Sequence, residues 1–450
     1  RSKALVGGLL RVGLALIGSF GALGLWLVLS RGFHSRPLLV AGLLLSAALC
    51  VALLLGTRRV VVWIAGVVAL LSIGAQFLGD KPGYWLARQM GAEVGARHKE
   101  VTLGSSLYTL RADVFSGYFC AKPTDACPAP RFGGALAGLG DGFVIGTGEG
   151  QLFYVEHKEG KALDRRPLPY RIPVNTQAFL GGRLDGGGVL FRAADVLIQD
   201  GGDKFRLFAS HHFWHEDRQC FVLRISSLSG SKADLFSQQA PLKWSTFFES
   251  QPCLPVLEPL PQSVHTGRVF AGDESGGRMA LLDPQTMLLT VGDHLFNGYD
   301  RKEMVAQDPT ADYGKTLRID LASGKAEMFT LGHRNPQGLF ITAKGTIWQT
   351  EHGPRGGDEL NRLIAGRNYG WPLVTYGTDY GSDIWPLNER QGDHQGFERS
   401  MHAWVPSIAV SNLLALEGDL FPKWNGDLLI GSYSKNLWRV RLRDDRVAFA

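Results

Sequence analysis

Apolar positions follow two different patterns along the chain. Up to residue 80 they run almost unbroken. Val12 to Ser30, Pro37 to Thr57 and Val60 to Gly79 contain no charged residue. Each stretch matches the ~20 residues that a helix needs to cross hydrocarbon. From about Leu107 the runs become short, and glycine breaks them. Gly142–Thr147, Gln151–Val155, Phe205–Ala209, Cys220–Ile225, Met287–Val291, Asp427–Gly431 and Leu437–Leu442 are strand-length pieces with turn signals between them. The pattern predicts a three-helix transmembrane anchor over 1–80, a connector over 81–106 with a short helix at Tyr84–Ala92, and an all-β domain over 107–450. A propeller and a sandwich both fit such spacing, and this length suits about six four-stranded blades. The last blade, near Leu437–Leu442, is expected to be short of strands, with the ring completed beyond Ala450.

Composition sharpens this picture. The chain has 450 residues and 57 glycines, which suits tight turns between strands. The net charge of +5 comes without a long basic run, so nucleic acid is not an expected partner. Arg1, Lys3, Arg11, Arg58 and Arg59 flank the apolar stretches on one side, against Arg31 and Arg36 on the other. That bias predicts a cytoplasmic N-terminus in a bacterial inner membrane, with membrane lipid as a partner and the β domain in the periplasm. Cys50 lies within the second apolar stretch. Cys120, Cys127, Cys220 and Cys253 are an even set in the exported part, enough for two disulfides, with Cys120–Cys127 the expected local one. Zinc is the competing use of these cysteines, but the six-residue gap between Cys120 and Cys127 is wide for a knuckle.

The densest chemistry lies between Gly332 and Pro372. Gly332-His333-Arg334-Asn335-Pro336-Gln337-Gly338 is followed by Thr350-Glu351-His352-Gly353-Pro354-Arg355-Gly356-Gly357-Asp358-Glu359, then Asn368-Tyr369-Gly370-Trp371-Pro372. These turns hold backbone carbonyls, a guanidinium and a carboxylate, groups that suit a hard cation and an anionic ligand. Together with Gln307-Asp308, Gly314–Asp320, Pro406–Ser411 and Leu429–Ser432, the segment resembles the glucose/sorbosone dehydrogenases, six-bladed β-propellers that use pyrroloquinoline quinone (PQQ). The resemblance implies that Arg334 binds a PQQ carboxylate through its planar fork. It implies that Asn335, His352, Ser407 and Lys435 also meet the cofactor. It assigns a catalytic calcium (Ca2+) to the carbonyls of Gly353 and Pro354, and a second, structural calcium to Glu359 and the Tyr369 carbonyl. Tyr380 falls near the substrate.

The match departs from the family on the substrate side. The catalytic histidine that the family uses as a base is expected within Ala194–Gly201, where Gln199 stands. An amide cannot accept a proton near neutral pH, and the loss is about 10²–10⁴-fold in rate. A shifted match brings in His211, His212 or His215, although His211 and His212 are expected to belong to the following strand. Ahead of Gly276-Gly277-Arg278, the family's usual histidine is replaced by Glu274. Two readings follow. In the first, the propeller oxidises a small sugar or other alcohol and passes electrons to a cytochrome or quinone. In the second, it is a catalytically lapsed subunit of an integral-membrane protein complex.

Overall fold

Antiparallel hairpins answer the alternating pattern throughout the computed structural model. It describes residues 97–104, 109–116, 134–156, 164–181, 190–237, 242–256, 272–388, 392–434, 436–443 and 446–449. The three apolar stretches before residue 80, the Tyr84–Ala92 helix, Cys120, Cys127 and Lys435 lie outside the described residues. Strands β1 (Arg97–Gly104) and β2 (Thr109–Ser116) form a two-stranded ribbon.

Five sheets then follow in chain order, each four strands deep. The first contains β3 (Gly134–Leu139), β4 (Gly142–Thr147), β5 (Gln151–Glu156) and β6 (Asp164–Arg171). A short helix, α1 (Thr176–Leu180), leads to the second: β7 (Ala193–Gly201), β8 (Lys204–His215), β9 (Cys220–Ser231) and β10 (Ser245–Glu249), with β11 (Leu254–Pro255) also paired to β9. The third contains β12 (Gly276–Asp283), β13 (Thr286–Val291), β14 (Lys315–Asp320) and β15 (Ala326–Leu331). The fourth contains β16 (Pro336–Ile341), β17 (Ile347–Glu351), β18 (Asp358–Arg362) and β19 (His402–Trp404). The fifth contains β20 (Val410–Ala415), β21 (Leu428–Ser432), β22 (Leu437–Arg443) and β23 (Arg446–Phe449). The sheet nearest residue 450 has four strands among the described residues.

The first strands of successive sheets lie side by side, β3 against β7, β7 against β12, β12 against β16 and β16 against β20. This is the arrangement of propeller blades around an axis. Sheet faces pack on their neighbours because successive side chains point opposite ways. On β13, Met287, Leu289 and Val291 join Phe208, Leu223 and Ile225 of the second sheet. Leu288 between them turns the other way, onto Leu339 and Ile347 of the fourth. Each such fully buried side chain contributes about 1.5–3 kcal/mol. Trp348 and Leu360 meet Leu413, Leu428 and Ile430 between the fourth and fifth sheets in the same manner. Both faces of an inner strand are thus covered, which is why β17 is buried over its whole length.

Polar clasps tie the inner strands together. Arg278 on β12 donates from Nη1 to Asp195 of β7 at 3.2 Å and from Nε to the Gln337 carbonyl of β16 at 2.8 Å. Asp195 also accepts the Met279 N–H at 2.9 Å. Close approach here demands glycine: at Gly277, with φ +99, any Cβ would press on Ala194. The clasp fixes three blades in register just below the loops that carry the candidate site.

Among the described residues, the disulfide Cys220–Cys253 joins the start of β9 to the segment before β11. His211 and His212 lie on β8 as expected.

Candidate functional site

The Gly332–Pro372 turns converge with two loops of the third sheet. Gln307 is the connector. Its Nε2 donates to the Trp371 carbonyl at 2.6 Å, and its Oε1 accepts from Asn368 Nδ2 at 2.7 Å. Gly332 has φ +79 and lies so close to Asn368 and Gly370 that no side chain fits. The motif residues 307, 332 and 368–371, distant in sequence, therefore form one junction.

Arg334 lies at its centre and is buried. Its backbone N–H donates to Glu351 Oε2 at 2.9 Å. Its Nη1 donates to the Gly353 carbonyl at 2.8 Å and to the His352 carbonyl at 3.4 Å. Its Nη2 pairs with Glu274. The guanidinium carbon stands 5.4 Å from the centre of the Trp371 ring. Arg334 Nε and His352 Nε2 are buried without a hydrogen-bond partner. Buried polar groups of this kind usually have partners, so an orphaned guanidinium N–H with an orphaned ring nitrogen near it suits a polar ligand such as a quinone carboxylate.

Glu274 and Asp293 form a buried acidic pair beside that guanidinium. Burial pushes the Glu274 carboxyl well above the usual range; Arg334 opposes this and Asp293 adds to it. Asp293 is fully buried, and burial likewise raises it. It accepts from Trp371 Nε1 at 2.6 Å and from the Leu295 N–H at 3.0 Å.

A small cavity opens between Arg334, Glu351, Gly353, Glu359, Tyr369 and Trp371. Glu351 is saturated: it accepts from His333 Nδ1 at 3.0 Å, from the Arg334 N–H and from Asn361 Nδ2 at 2.7 Å. Glu359 has one weak donor, Asn361 Nδ2 at 3.2 Å. Burial, and next the charge of Glu351, push the Glu359 carboxyl well up. A cation between the two carboxylates reverses that push. With Asn361 Oδ1 buried and unpartnered, the donor set fits a hard cation.

The other expected residues are placed as follows. Asn335 is half-buried; its Oδ1 accepts from Gln337 Nε2 at 2.6 Å. The Gly353 carbonyl, expected to face calcium, is taken by Arg334. Pro354 is buried next to it. Ser407 is exposed and donates to Asp358 Oδ1 at 2.8 Å, a loop-holding bond. Tyr380 is 50% exposed and close enough to Arg334 for its charge to be felt there.

Gln199 is not brought to the site. It lies toward the β7–β8 turn and donates to the Pro284 carbonyl at 3.0 Å, at the far end of β12. About five residues of strand, ~17 Å, separate it from the end of β7 that meets Gly277. His211 is excluded too, being wholly buried with Nδ1 on the His212 carbonyl at 2.8 Å and Nε2 on Ser226 at 2.9 Å. The position that faces Arg334 belongs to Glu274. Sequence reasoning noted Glu274 only as a substitution, and missed Asp293, Glu351 and Trp371. The available signal was an acid following a glycine at the end of an apolar run, as in Val291-Gly292-Asp293.

Comparison with known proteins agrees with this geometry. Residues 264–450 match the glucose/sorbosone dehydrogenase family. Over 196 residues the chain is 32% identical to aldose sugar dehydrogenase YliI of Escherichia coli, covering 40% of this chain and 51% of that protein. Over 138 residues it is 32% identical to quinoprotein glucose dehydrogenase B of Acinetobacter calcoaceticus, covering 25% and 29%. The chain thus spans about half or less of the curated relatives it matches. Among solved structures, a glucose dehydrogenase superposes with a TM-score of 0.55 at 26% identity, covering 70% of this chain and 85% of that one. The apo soluble aldose sugar dehydrogenase of Escherichia coli gives 0.54 at 25% identity, covering 70% and 84%. The likeness to the glucose/sorbosone dehydrogenase family is thus carried by residues 264–450 of the chain.

Proposed function

We propose that the chain is a membrane-anchored, PQQ-dependent dehydrogenase-like protein that acts on an aldose or another alcohol and delivers electrons to a cytochrome or quinone. The observation that carries this reading is Arg334, a buried guanidinium at the centre of the turns that resemble the family's, with Nε unpartnered. When bound, PQQ supplies a hydride-accepting ortho-quinone and calcium supplies a Lewis acid. The chain's own part is to bind and orient. Arg334 holds a carboxylate, Asn335 and His352 present hydrogen-bonding groups beside it, and Trp371 closes one face of the guanidinium. The Pro354 carbonyl would serve one cation, Glu359 and the Tyr369 carbonyl the second, and Tyr380 stands at the exposed side where a sugar enters.

In this reading the propeller has six blades, with β1–β2 in the sixth. The apolar face formed by Ile145, Phe153 and Val155, turned away from the second sheet and buried, supports a further layer there. The Cys220–Cys253 disulfide supports an oxidising, periplasmic location, with the stretches 12–30, 37–57 and 60–79 as the anchor.

A second reading, the lapsed subunit of a membrane complex, is favoured by one observation: a carboxylate, that of Glu274, pairs with Arg334 where the resemblance leads one to expect a histidine. Calorimetric titration of PQQ into detergent-purified chain with calcium separates the two. Binding that Arg334→Ala abolishes, with thermal unfolding unchanged, is expected. Equal affinity in that variant overturns the cofactor assignment.

A further inference from the structure

A guanidinium receives a carboxylate side by side through one of two edges, Nε with Nη2 or Nη1 with Nη2. Both edges of Arg334 include Nη2, and Nη2 is engaged by Glu274. Nη1 is already committed to the carbonyls of Gly353 and His352. The Glu274 side chain is only 8% exposed, so the pair is not a loose surface contact. The Glu274 carboxyl also shares a side-chain hydrogen bond with Asp293, so it is held from a second side.

The surroundings oppose further negative charge. From the segment after β13, Asp293 lies against Glu274, and Asp300 is buried nearby with Oδ2 on Asn297 Nδ2 at 2.7 Å. His294 of the same segment places Nδ1 at 3.2 Å from the Glu274 carbonyl, and burial holds its ring neutral, with a pKa of about 3. From the segment before β16 comes Arg334, and Tyr380 approaches from the loop after β18. One guanidinium thus faces three carboxylates. A polycarboxylate ligand meets a site whose positive charge is spent.

We propose that Glu274 is a built-in counter-anion of Arg334, admitting a carboxylate ligand only when it is protonated or turned away. The proposal rests on the reading of Arg334 as the site of a cofactor carboxylate. It makes Glu274 a gate rather than a passive replacement of a histidine. Burial and Asp293 both favour the protonated form, so mild acid opens the gate: affinity for the anion rises as pH falls. In this the site differs from one with a free arginine, whose affinity is flat over that range because arginine does not titrate.

The test is calorimetry on the full chain in detergent with calcium, using PQQ and, separately, benzene-1,3,5-tricarboxylate. Wild type is compared with Glu274→Gln, which keeps shape and removes the charge, from about pH 5 to about pH 7.5. The variant is expected to bind at least about tenfold more tightly at the upper pH, the equivalent of one pKa unit. Wild type is expected to tighten on acidification while the variant stays flat. Equal or weaker binding of PQQ by Glu274→Gln overturns the gate and leaves the PQQ reading standing. Tighter binding of the tricarboxylate by the variant, with no binding of PQQ by either protein, supports the gate and removes the PQQ reading. No binding of either ligand by either protein overturns both.

Discussion

His211 shows how a residue type misleads when read without its neighbours. A histidine pair offers a candidate base, yet His211 is wholly buried and burial lowers its pKa to about 4. The unfolded chain takes up this proton near pH 6.5 and the folded chain only near 4. Between those values the unfolded state binds more protons, so stability rises with pH across the window and is lost on acidification. The shift is worth up to about 3 kcal/mol. Urea unfolding of His211→Gln at about pH 7 and about pH 4.5 is expected to show a smaller acid loss than wild type; an identical loss in both proteins contradicts the assignment. At this scale much of the cofactor side was legible: Arg334, Glu359 and Tyr369 stand around one cavity as their motif suggests. The proton-accepting side was not. Gln199 and Glu274 both flank glycine-marked inner strands, β7 and β12, and local spacing does not say which strand end faces the loops. The partner of Glu274 lies sixty residues away, at Arg334, and no periodicity records such a pairing.

Strands were the most legible elements, because alternation is a local signal and each inner strand must cover both faces. Gly142–Thr147 appears in the structure with the bounds the sequence suggests, and Met287–Val291 as a strand one residue longer, Thr286–Val291. Cysteine pairing is legible only as an even count. Cys220 and Cys253 are joined because β9 pairs with both β10 and β11, which folds the 33-residue separation back on itself. A closed loop of that length is worth about 2–4 kcal/mol through the unfolded state. The double variant Cys220→Ala/Cys253→Ala is therefore expected to lower the thermal midpoint by several degrees, about 2–4 °C per kcal/mol for a domain of this size. A midpoint unchanged by the double substitution, or by reduction of wild type, would show that the bridge constrains nothing.

For the molecule as a whole, a cation in the cavity at Glu359, as proposed, would couple to stability. Its raised carboxyl pKa means that the folded state holds a proton which the unfolded state releases. Without a cation, stability therefore falls as pH rises from the ordinary carboxylate value to the raised one. In the proposed reading calcium would replace that proton, adding about 2.7 kcal/mol at a hundredfold excess over its Kd. Scanning calorimetry at neutral pH is expected to show a calcium-dependent upward shift in wild type that chelator reverses. Glu359→Gln is expected to unfold no lower than chelated wild type and to ignore calcium. A full calcium shift in that variant would place the ion elsewhere.

Lys315 carries a consequence of a different kind. Its side chain is fully buried on β14, and its Nζ donates to the carbonyls of Val305, Ala306 and Tyr313 at 2.7, 3.1 and 2.8 Å. An amine-reactive reagent reaches that nitrogen only in molecules whose 305–313 segment has lifted away. Once acylated, the nitrogen keeps a single N–H and gains bulk, so the three carbonyls cannot be capped again. A mark at Lys315 is thus a memory of past opening and also a ratchet, since the molecule that bears it cannot fully reclose.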